Sequence, residues 1–306
     1  MELTDPQRRT LDELIGTGER PTFPNDLPRR LRERIEAEVL KLQLSETLWL
    51  GKEKLNDHDR CTGKYHANIS GESPPFEHSA KTATGVLLHK AIEIEVGSRD
   101  LLDPLDIADV AAERVVERES RFAEYWRELD RMAQAEILAE VVRQVALFQG
   151  TFPPLRELRR ELAPITEFGP KAELLDGALV LSGRIDLLLG LPDRREPTRA
   201  KRLAIDLKTG GAYPEYAEDM RFYALLLTFR FGVPPYRVAS LFMDSGEWQA
   251  EDVSEELLEH AADRVVEAAR SAAALFDGRD PELNPGRYCG WCPRSSVCPV
   301  AELVAV

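Results

Sequence analysis

The hydrophobic positions follow two periods, and the helical period dominates the first half of the chain. Leucine, isoleucine and valine interrupt a charged stretch over Leu27–Leu44, and apolar residues recur at helical spacing over Thr84–Val96. The clearest amphipathic helix is Ser120–Gln149, where apolar residues fall near i, i+3 and i+4. Gly150 and a Pro-Pro pair are expected to end it. The mixed polar stretch Cys61–Pro75 is expected to be a loop.

Aliphatic runs bounded by turn residues predict strands in the middle of the chain. The predicted strands are Ala178–Gly190, Arg202–Lys208 and Tyr236–Met243. A helix is expected over Pro214–Phe231, and Ser254 is placed to cap a last helix that reaches Phe276. Helices on both sides of a strand cluster predict an α/β or α+β architecture.

The composition is that of a soluble globular protein. The chain has 306 residues, of which 43% are hydrophobic and 31% are charged, enough for one elaborated domain or two. No apolar run approaches the roughly 20 residues that span a bilayer. The N-terminal sequence MELTDPQRRTLDELIG has no apolar core of a secretory signal. We therefore expect a cytoplasmic protein with no membrane partner.

The net charge of −14 bears on the choice of partner. Proteins that hold phosphate backbones usually present a basic face, so the acidity argues against tight autonomous binding of DNA. The basic run Pro28–Arg34 partly offsets it, although such runs are usually solvated surface. A metal-dependent site is compatible with this charge because it needs carboxylates.

Four cysteines are the most informative residues of the chain. Cys289, Cys292 and Cys298 crowd the C-terminus, whereas Cys61 lies far upstream. In a reducing cytosol, clustered cysteines are more often metal ligands than disulfides. Four thiolates complete the ligand set of one tetrahedral zinc or one cubane iron–sulfur cluster, and zinc is the commoner structural ion. Either group would clasp the two ends of the chain together.

Charged residues in two predicted strands are the candidates for chemistry. Asp206 and Lys208 share one strand face, and Leu207 points the other way. If the strands pair, Asp186 can face Asp206. Two carboxylates on an apolar sheet repel each other and lose hydration, and Mg²⁺ or Mn²⁺ would relieve that. The alternative is a buried ion-pair cluster or a solvated sheet face.

These residues resemble the PD-(D/E)xK nuclease motif in its RecB-type form. The motif is carried by Gly183-Arg-Ile-Asp186 and then by Ile205-Asp206-Leu207-Lys208. A Gly-x-x-x-His motif ending at His89 and a helix motif ending at Tyr223 resemble the same branch. The cysteines resemble the iron–sulfur set of AddB-type and CRISPR-associated nucleases. Together these features span about residues 50–300.

The resemblance implies a catalytic site in a restriction-endonuclease-like core, a small mixed sheet flanked by helices. The implied ligands of Mg²⁺ or Mn²⁺ are His89, Asp186, Asp206 and the carbonyl of Leu207. Lys208 would position the attacking water, and Tyr223 would complete the catalytic set. Cys61, Cys289, Cys292 and Cys298 would hold a [4Fe–4S] cluster, with Zn²⁺ as the alternative.

The implied activity is that of a deoxyribonuclease, an exonuclease on single-stranded DNA or duplex ends. Its setting would be DNA repair, recombination, phage defence or CRISPR adaptation. The sequence has no G-x-x-x-x-G-K-[ST] motif, so ATP-driven unwinding would need a helicase or other DNA-processing partner. Two alternatives stay open: a non-catalytic DNA-end-binding or scaffold subunit, and a zinc-stapled structural protein.

One position departs from the family pattern. Asp219 stands where the branch has glutamine, four residues before Tyr223. An ionised aspartate accepts hydrogen bonds and cannot donate one to phosphate. Asp219, Arg221 and Tyr223 are candidate DNA contacts, with Arg221 able to replace the missing donor.

The expected organisation is a helical N-terminal region followed by one nuclease domain. The first comprises residues 1–50 and the second residues 51–306. A helical insertion is expected at about residues 98–155, and the cysteine clasp at Cys61 with residues 289–298.

Overall fold

A computed structural model describes residues 3–301 apart from 16–17, 19, 73–75, 193–194 and 212. Pro75, the expected end of a loop, lies outside the described residues, as do the last residues of the expected nuclease domain. Apolar side chains from the N-terminal helices to the last helix form one continuous core.

The described residues form a mixed helical and stranded fold. The helices are α1 Asp5–Ile15, α2 Leu27–Val39, α3 Lys52–Arg60, α4 Thr62–Ile69, α5 Ala80–Gly97, α6 Pro104–Arg118, α7 Ser120–Glu128, α8 Arg131–Thr151, α9 Arg159–Leu162, α10 Glu215–Phe231 and α11 Glu255–Phe276. The strands are β1 Leu48–Leu50, β2 Ile165–Phe168, β3 Lys171–Leu174, β4 Leu179–Ser182, β5 Ile185–Leu189, β6 Leu203–Lys208, β7 Arg237–Phe242 and β8 Glu247–Asp252. The fold is therefore mixed α/β, as the strand and helix patterns predict.

Two mixed sheets hold the strands. The larger has the order β2-β5-β6-β7-β8, with β6 and β7 parallel and the other pairs antiparallel. The smaller has the order β1-β4-β3. Helix α10 packs on β6 and β7, α5 packs on β2, and α11 packs on α2, α3 and α10. The middle of the larger sheet is consequently buried. At the ends of its strands a cleft lies between α3 and α5.

Several predicted elements are confirmed. Strands β6 and β7 and helices α5, α10 and α11 lie where the sequence pattern expects them. Ser254 caps α11 by accepting a hydrogen bond from the backbone of Leu257 at 3.2 Å. These elements have long apolar runs that end at turn or capping residues.

The single helix predicted over Ser120–Gln149 is wrong, because the chain forms α7 and α8 there. Leu129 is extended between them, and Asp130 caps α8 by accepting a hydrogen bond from the Ala133 backbone at 2.8 Å. A local aspartate cap competes with helix continuation, and here it prevails.

The single strand predicted over Ala178–Gly190 is also two strands. β4 and β5 belong to different sheets, and the chain changes sheet at Gly183 and Arg184. The loop expected at Cys61–Pro75 is wrong in its first part, since α4 forms directly after Cys61. Cys61 therefore lies between the last turn of α3 and the first turn of α4.

The first fifty residues pack into the same core as the rest. Strand β1 pairs in parallel with β4, and α2 packs on α11. Within the basic run, Arg30 pairs with Glu255 at 2.8 Å and Arg34 with Asp263 at 2.7 Å. The run thus supplies ion pairs between helices; the division into domains stays a prediction. Among the described residues, no helix has the length and apolarity needed to cross a membrane.

Candidate active site and cysteine cavity

The pairing of β5 with β6 brings two predicted carboxylates together. The register pairs Leu187 with Ile205, and its next step sets Asp186 opposite Asp206. The Asp186 carboxylate accepts a hydrogen bond from the backbone nitrogen of Leu207 at 2.6 Å. Both aspartates are buried, 7% and 2% exposed. The condition that the two strands pair is therefore met.

His89 completes a compact group of oxygen and nitrogen ligands. Its Nδ1 atom lies 3.1 Å from Asp186 Oδ1 and 3.5 Å from Glu167 Oε1. One ligand atom from each of these three residues falls within 4.8 Å of the others, close enough to share a metal ion. The helix α5 thus delivers the predicted histidine to the end of β5.

Glu167 is a member of this group that sequence reasoning missed. It sits in β2 at the register position opposite Asp186, with a positive φ of 51°. That backbone conformation is costly for a residue with a side chain and recurs at functional sites. The available signal was one glutamate in the short strand-like run Ile165–Phe168. Such a run is too short to be singled out by pattern.

Asp206 shares its surroundings with two lysines and a third aspartate. Lys208 Nζ lies 2.5 Å from Asp206 Oδ2 and 3.3 Å from Asp219 Oδ2. Lys52 Nζ lies 3.5 Å from Asp206 Oδ1 and 3.8 Å from Asp219 Oδ2. Asn56 donates to Asp219 Oδ1 at 2.8 Å. The two lysines thus face the carboxylates of Asp206 and Asp219. His89 faces those of Asp186 and Glu167.

The protonation of these groups follows from their neighbours. Burial and the charge of Asp206 raise the pKa of Asp186. Burial alone would raise the pKa of Asp206 as well, but Lys52 and Lys208 hold it below its usual value. Burial opposes a charged His89, yet Asp186 and Glu167 raise its pKa to about 10. The neighbouring carboxylates therefore favour the protonated form of His89.

Tyr223 lies under the site and is 1% exposed. Burial raises the pKa of its phenol, which stays neutral. A Cβ atom on Gly183 would lie 2.7 Å from Tyr223 Cε1, so only glycine fits there without displacement. The glycine of the Gly-x-x-Asp motif thus allows the tyrosine ring to approach the start of β5.

The other candidate DNA contacts are engaged within the protein. Asp219 is 2% exposed and faces the two lysines and Asn56. Arg221 binds Glu251 at 2.9 Å and Glu218 at 2.6 Å. The expected roles of Asp219, Arg221 and Tyr223 in DNA contact stay predictions.

A cleft of about 770 Å³ opens above these side chains. Charged residues of both signs line it in equal numbers: Lys52, Lys54, Lys81, Lys90 and Arg184 against Glu53, Glu93, Glu119, Glu167 and Asp186. The whole chain has 40 basic and 54 acidic residues, so the cleft is less acidic than the chain. Its volume lies within the range of ligand-binding clefts.

The four cysteines line a second cavity, of about 280 Å³, on the far side of α3. All four have free, partly exposed side chains: Cys61, Cys289, Cys292 and Cys298. Burial raises the pKa of the Cys292 thiol, and the nearby sulfurs of Cys61 and Cys289 add to this. A metal ion would reverse that effect, because metal ligation favours thiolates.

Hydrogen bonds already tie the C-terminal segment to α3 and α4. Tyr288 Oη and the Asn284 side chain both donate to the carbonyl oxygen of Arg60 at 2.9 Å. Thr62 Oγ1 donates to the carbonyl oxygen of Glu282 at 3.0 Å. The sequence-distant Cys61 and the C-terminal cysteines are thereby held around one cavity.

Comparison with known proteins gives one family match. A sequence model of the PD-(D/E)XK nuclease superfamily matches residues 52–299, which include every predicted site residue. A search of curated protein sequences finds no match.

Two solved structures are similar at low identity. A candidate exonuclease from Eubacterium rectale shares 12% identity over 90% of this chain and 92% of its own, with a TM-score of 0.48. The protein SSO0001 shares 17% identity over 72% of this chain and 97% of its own, with a TM-score of 0.31.

Proposed function

The chain belongs to the PD-(D/E)XK nuclease superfamily, and we propose that it is a divalent-metal-dependent deoxyribonuclease with a structural iron–sulfur cluster. The proposed action is exonucleolytic, on single-stranded DNA or duplex ends. The observation that carries it is the convergence of His89, Glu167, Asp186 and Asp206 with two lysines at the floor of one cleft.

The donor set fits a hard divalent cation. His89, Glu167 and Asp186 lie close enough together to share an ion, and Asp206 and the carbonyl of Leu207 would complete the set for Mg²⁺ or Mn²⁺. Such an ion would supply the positive charge that polarises the scissile phosphate. Buried carboxylates that face one another repel, and a bound cation would offset that repulsion. This is the physical reason to expect a cation there.

Lys208 would orient the attacking water. Its ammonium lies against Asp206 and Asp219 at 2.5 and 3.3 Å, which fixes the direction of its remaining donors. The reaction would break a phosphodiester bond and leave a 5′-phosphate and a 3′-hydroxyl. Asp206 and Asp219 keep Lys208 charged, since their fields oppose burial and raise its pKa.

We propose a [4Fe–4S] cluster for the cysteine cavity. All four cysteines line this one cavity. The resemblance to four-cysteine nucleases supports the cubane over one zinc ion. Zn²⁺ remains the alternative ion for the same four sulfur ligands.

The proposed setting is DNA repair, recombination or phage defence, with a helicase or other DNA-processing protein as partner. The support is the sequence, which resembles nucleases of such complexes and has no ATP-binding motif of its own. The competing proposal is a non-catalytic DNA-end-binding subunit. It is favoured by Lys52 and Lys208, which already balance Asp206 and Asp219.

A cleavage assay with Asp206→Asn tests the proposal. Anaerobically purified protein should degrade labelled linear single-stranded DNA with Mn²⁺ or Mg²⁺, spare circular DNA, and stop on addition of EDTA. Asp206→Asn should lose at least about 100-fold in rate, the scale of removing one group that stabilises the transition state. The exposed Asp263→Asn in α11 is the matched control and should cleave like wild type. DNA binding without cleavage by wild type would support the non-catalytic subunit instead.

A further inference from the structure

Lys52 lines the cleft, although none of the sequence motifs predicts a lysine there. It is the first residue of α3, follows β1 after one residue, and lines the cleft that holds the predicted site. Its side chain is 28% exposed, so part of it is accessible from the cleft. A lysine at this depth needs a reason beyond surface solubility.

The contacts of Lys52 differ from those of Lys208. Lys208 approaches Asp206 to 2.5 Å, a direct charged hydrogen bond, whereas Lys52 stays at 3.5 Å from Asp206 and 3.8 Å from Asp219. Both of its distances exceed the usual range of a hydrogen bond. The ammonium is therefore held by charge, and its three N–H groups can still serve another acceptor.

The start of α3 adds donors at the same place. Gly51 and the first three residues of α3 all line the cleft. The first backbone N–H groups of a helix have no partner within it, and the N-cap Gly51 provides no side-chain cap. These groups and Lys52 present positive potential to the cleft beside the carboxylates of β5 and β6.

Charge balance explains why Lys52 stays in position. Asp219, buried in α10, brings a third aspartate to the floor and interacts with both Lys52 and Lys208. The ammonium of Lys52 lies 3.5 Å from Asp206 and 3.8 Å from Asp219, and these two carboxylates hold its positive charge in place. Asp219 thus holds a cation at the cleft rather than facing the cleft itself.

We propose that Lys52 is a substrate-binding residue that contacts a phosphate group of the nucleic-acid strand, with Asp219 as its electrostatic anchor. The inference rests on the proposed nuclease function and deepens it. It accounts for how an acidic chain receives a polyanion: the strand meets Lys52 and the N-terminus of α3 first, and the carboxylates lie behind them. A purely structural Lys52 would only neutralise Asp219.

Binding in EDTA tests Lys52 without any metal in the site. The probe is a 5′-fluorescein single-stranded oligonucleotide, followed by fluorescence anisotropy over a series of KCl concentrations. Lys52→Met should weaken binding about tenfold, the scale of one hydrogen bond to a charged group. The slope of log K against log salt should become less steep by about 0.7, as expected for one lost phosphate contact on a single strand.

Lys201→Met is the matched control, because Lys201 has the same 28% side-chain exposure and an acidic partner, Glu196, at 3.9 Å outside the cleft. It should keep the affinity and slope of wild type. Lys52→Arg should keep the slope. If Lys52→Met folds poorly, the charge-neutral double variant Lys52→Met/Asp219→Asn should regain thermal stability but not affinity.

The outcomes separate this inference from the proposed function. A slope unchanged by Lys52→Met and by the double variant overturns the phosphate contact, even in an enzyme that cleaves DNA. A wild type that binds but does not cleave overturns the nuclease proposal. The slope of log K against log salt then tests only the phosphate contact of Lys52. A wild type that does not bind the oligonucleotide in EDTA overturns the Lys52 contact, and the cleavage assay with Mn²⁺ then judges the nuclease proposal by itself.

Discussion

Replacing Gly183 by alanine tests whether the tyrosine beneath the site shapes the start of β5. The added Cβ atom would lie 2.7 Å from Tyr223 Cε1 and 3.1 Å from Leu226 Cδ1. Favourable carbon–carbon contacts are about 3.5–4.0 Å. Tyr223 and Leu226 are 1% and 0% exposed, so neither can move into solvent.

Two opposing terms set the change in the free energy of unfolding of Gly183→Ala. Alanine restricts the unfolded chain and contributes about 0.4–1 kcal/mol of stability where the backbone accepts it. Overpacking a well-filled core costs about 1–3 kcal/mol. The overlap here involves two buried side chains, so the second term should prevail and lower the free energy of unfolding by about 1–2 kcal/mol. Asp186 follows three residues later, and a displacement of about 1 Å at a catalytic group can cost about 100-fold in rate.

Urea unfolding of Gly183→Ala and Gly150→Ala makes the comparison. Gly150 lies in α8, and an added Cβ atom there has no atom within 4 Å. The same substitution should therefore stabilise the protein by about 0.5–1 kcal/mol at Gly150. Opposite signs for the two variants, with cleavage reduced only in Gly183→Ala, are expected. Equal stabilisation by both would refute the packing argument.

His89→Ala should weaken Mn²⁺ binding, measured by calorimetry, by about tenfold or more, whereas His260→Ala, exposed beside Glu218, should bind like wild type. Equal affinities would make His89 a packing residue. Cys61→Ser should lose iron and sulfide and lower the midpoint of thermal unfolding, because the clasp closes a very long loop, worth about 5 kcal/mol in the chain-entropy estimate. Full iron content with an unchanged melt would exclude Cys61 as a ligand.

The sequence predicts best the elements whose apolar pattern is long. β6, β7, α10 and α11 are aliphatic-rich and end at turn or capping residues, so local information suffices to place them. Short or half-exposed strands carry little pattern. β8, for example, alternates mostly exposed residues and is held by its pairing with β7.

The misplaced boundaries have local causes that compete with periodicity. Asp130 ends one helix and caps the next inside an apolar pattern that looks continuous. Gly183 lets the chain change sheet inside an aliphatic run. In both cases a single residue decides the backbone path, and its effect depends on contacts that the pattern does not contain.

The candidate site is predictable in part for the same reason. Asp186 and Asp206 belong to neighbouring strands, so alternation and pairing are enough to bring them together. Glu167 and Lys52 reach the site through the register of β2 and the direction of α3. Those depend on how distant segments pack, and no local spacing encodes them.

Helix α3 has the catalytic cleft at one end and the cysteine cavity at the other. It begins at Lys52, ends at Arg60 directly before Cys61, and has 9 residues. At 1.5 Å per residue it is a rod of about 14 Å, so oxygen damage that shifts Cys61 would also shift Lys52. With the proposed cluster in the cavity, protein purified in air would then bind DNA less tightly although every cleft residue is intact. A loss of the proposed activity would reflect the state of the four sulfur atoms, so an iron determination belongs beside each rate measurement.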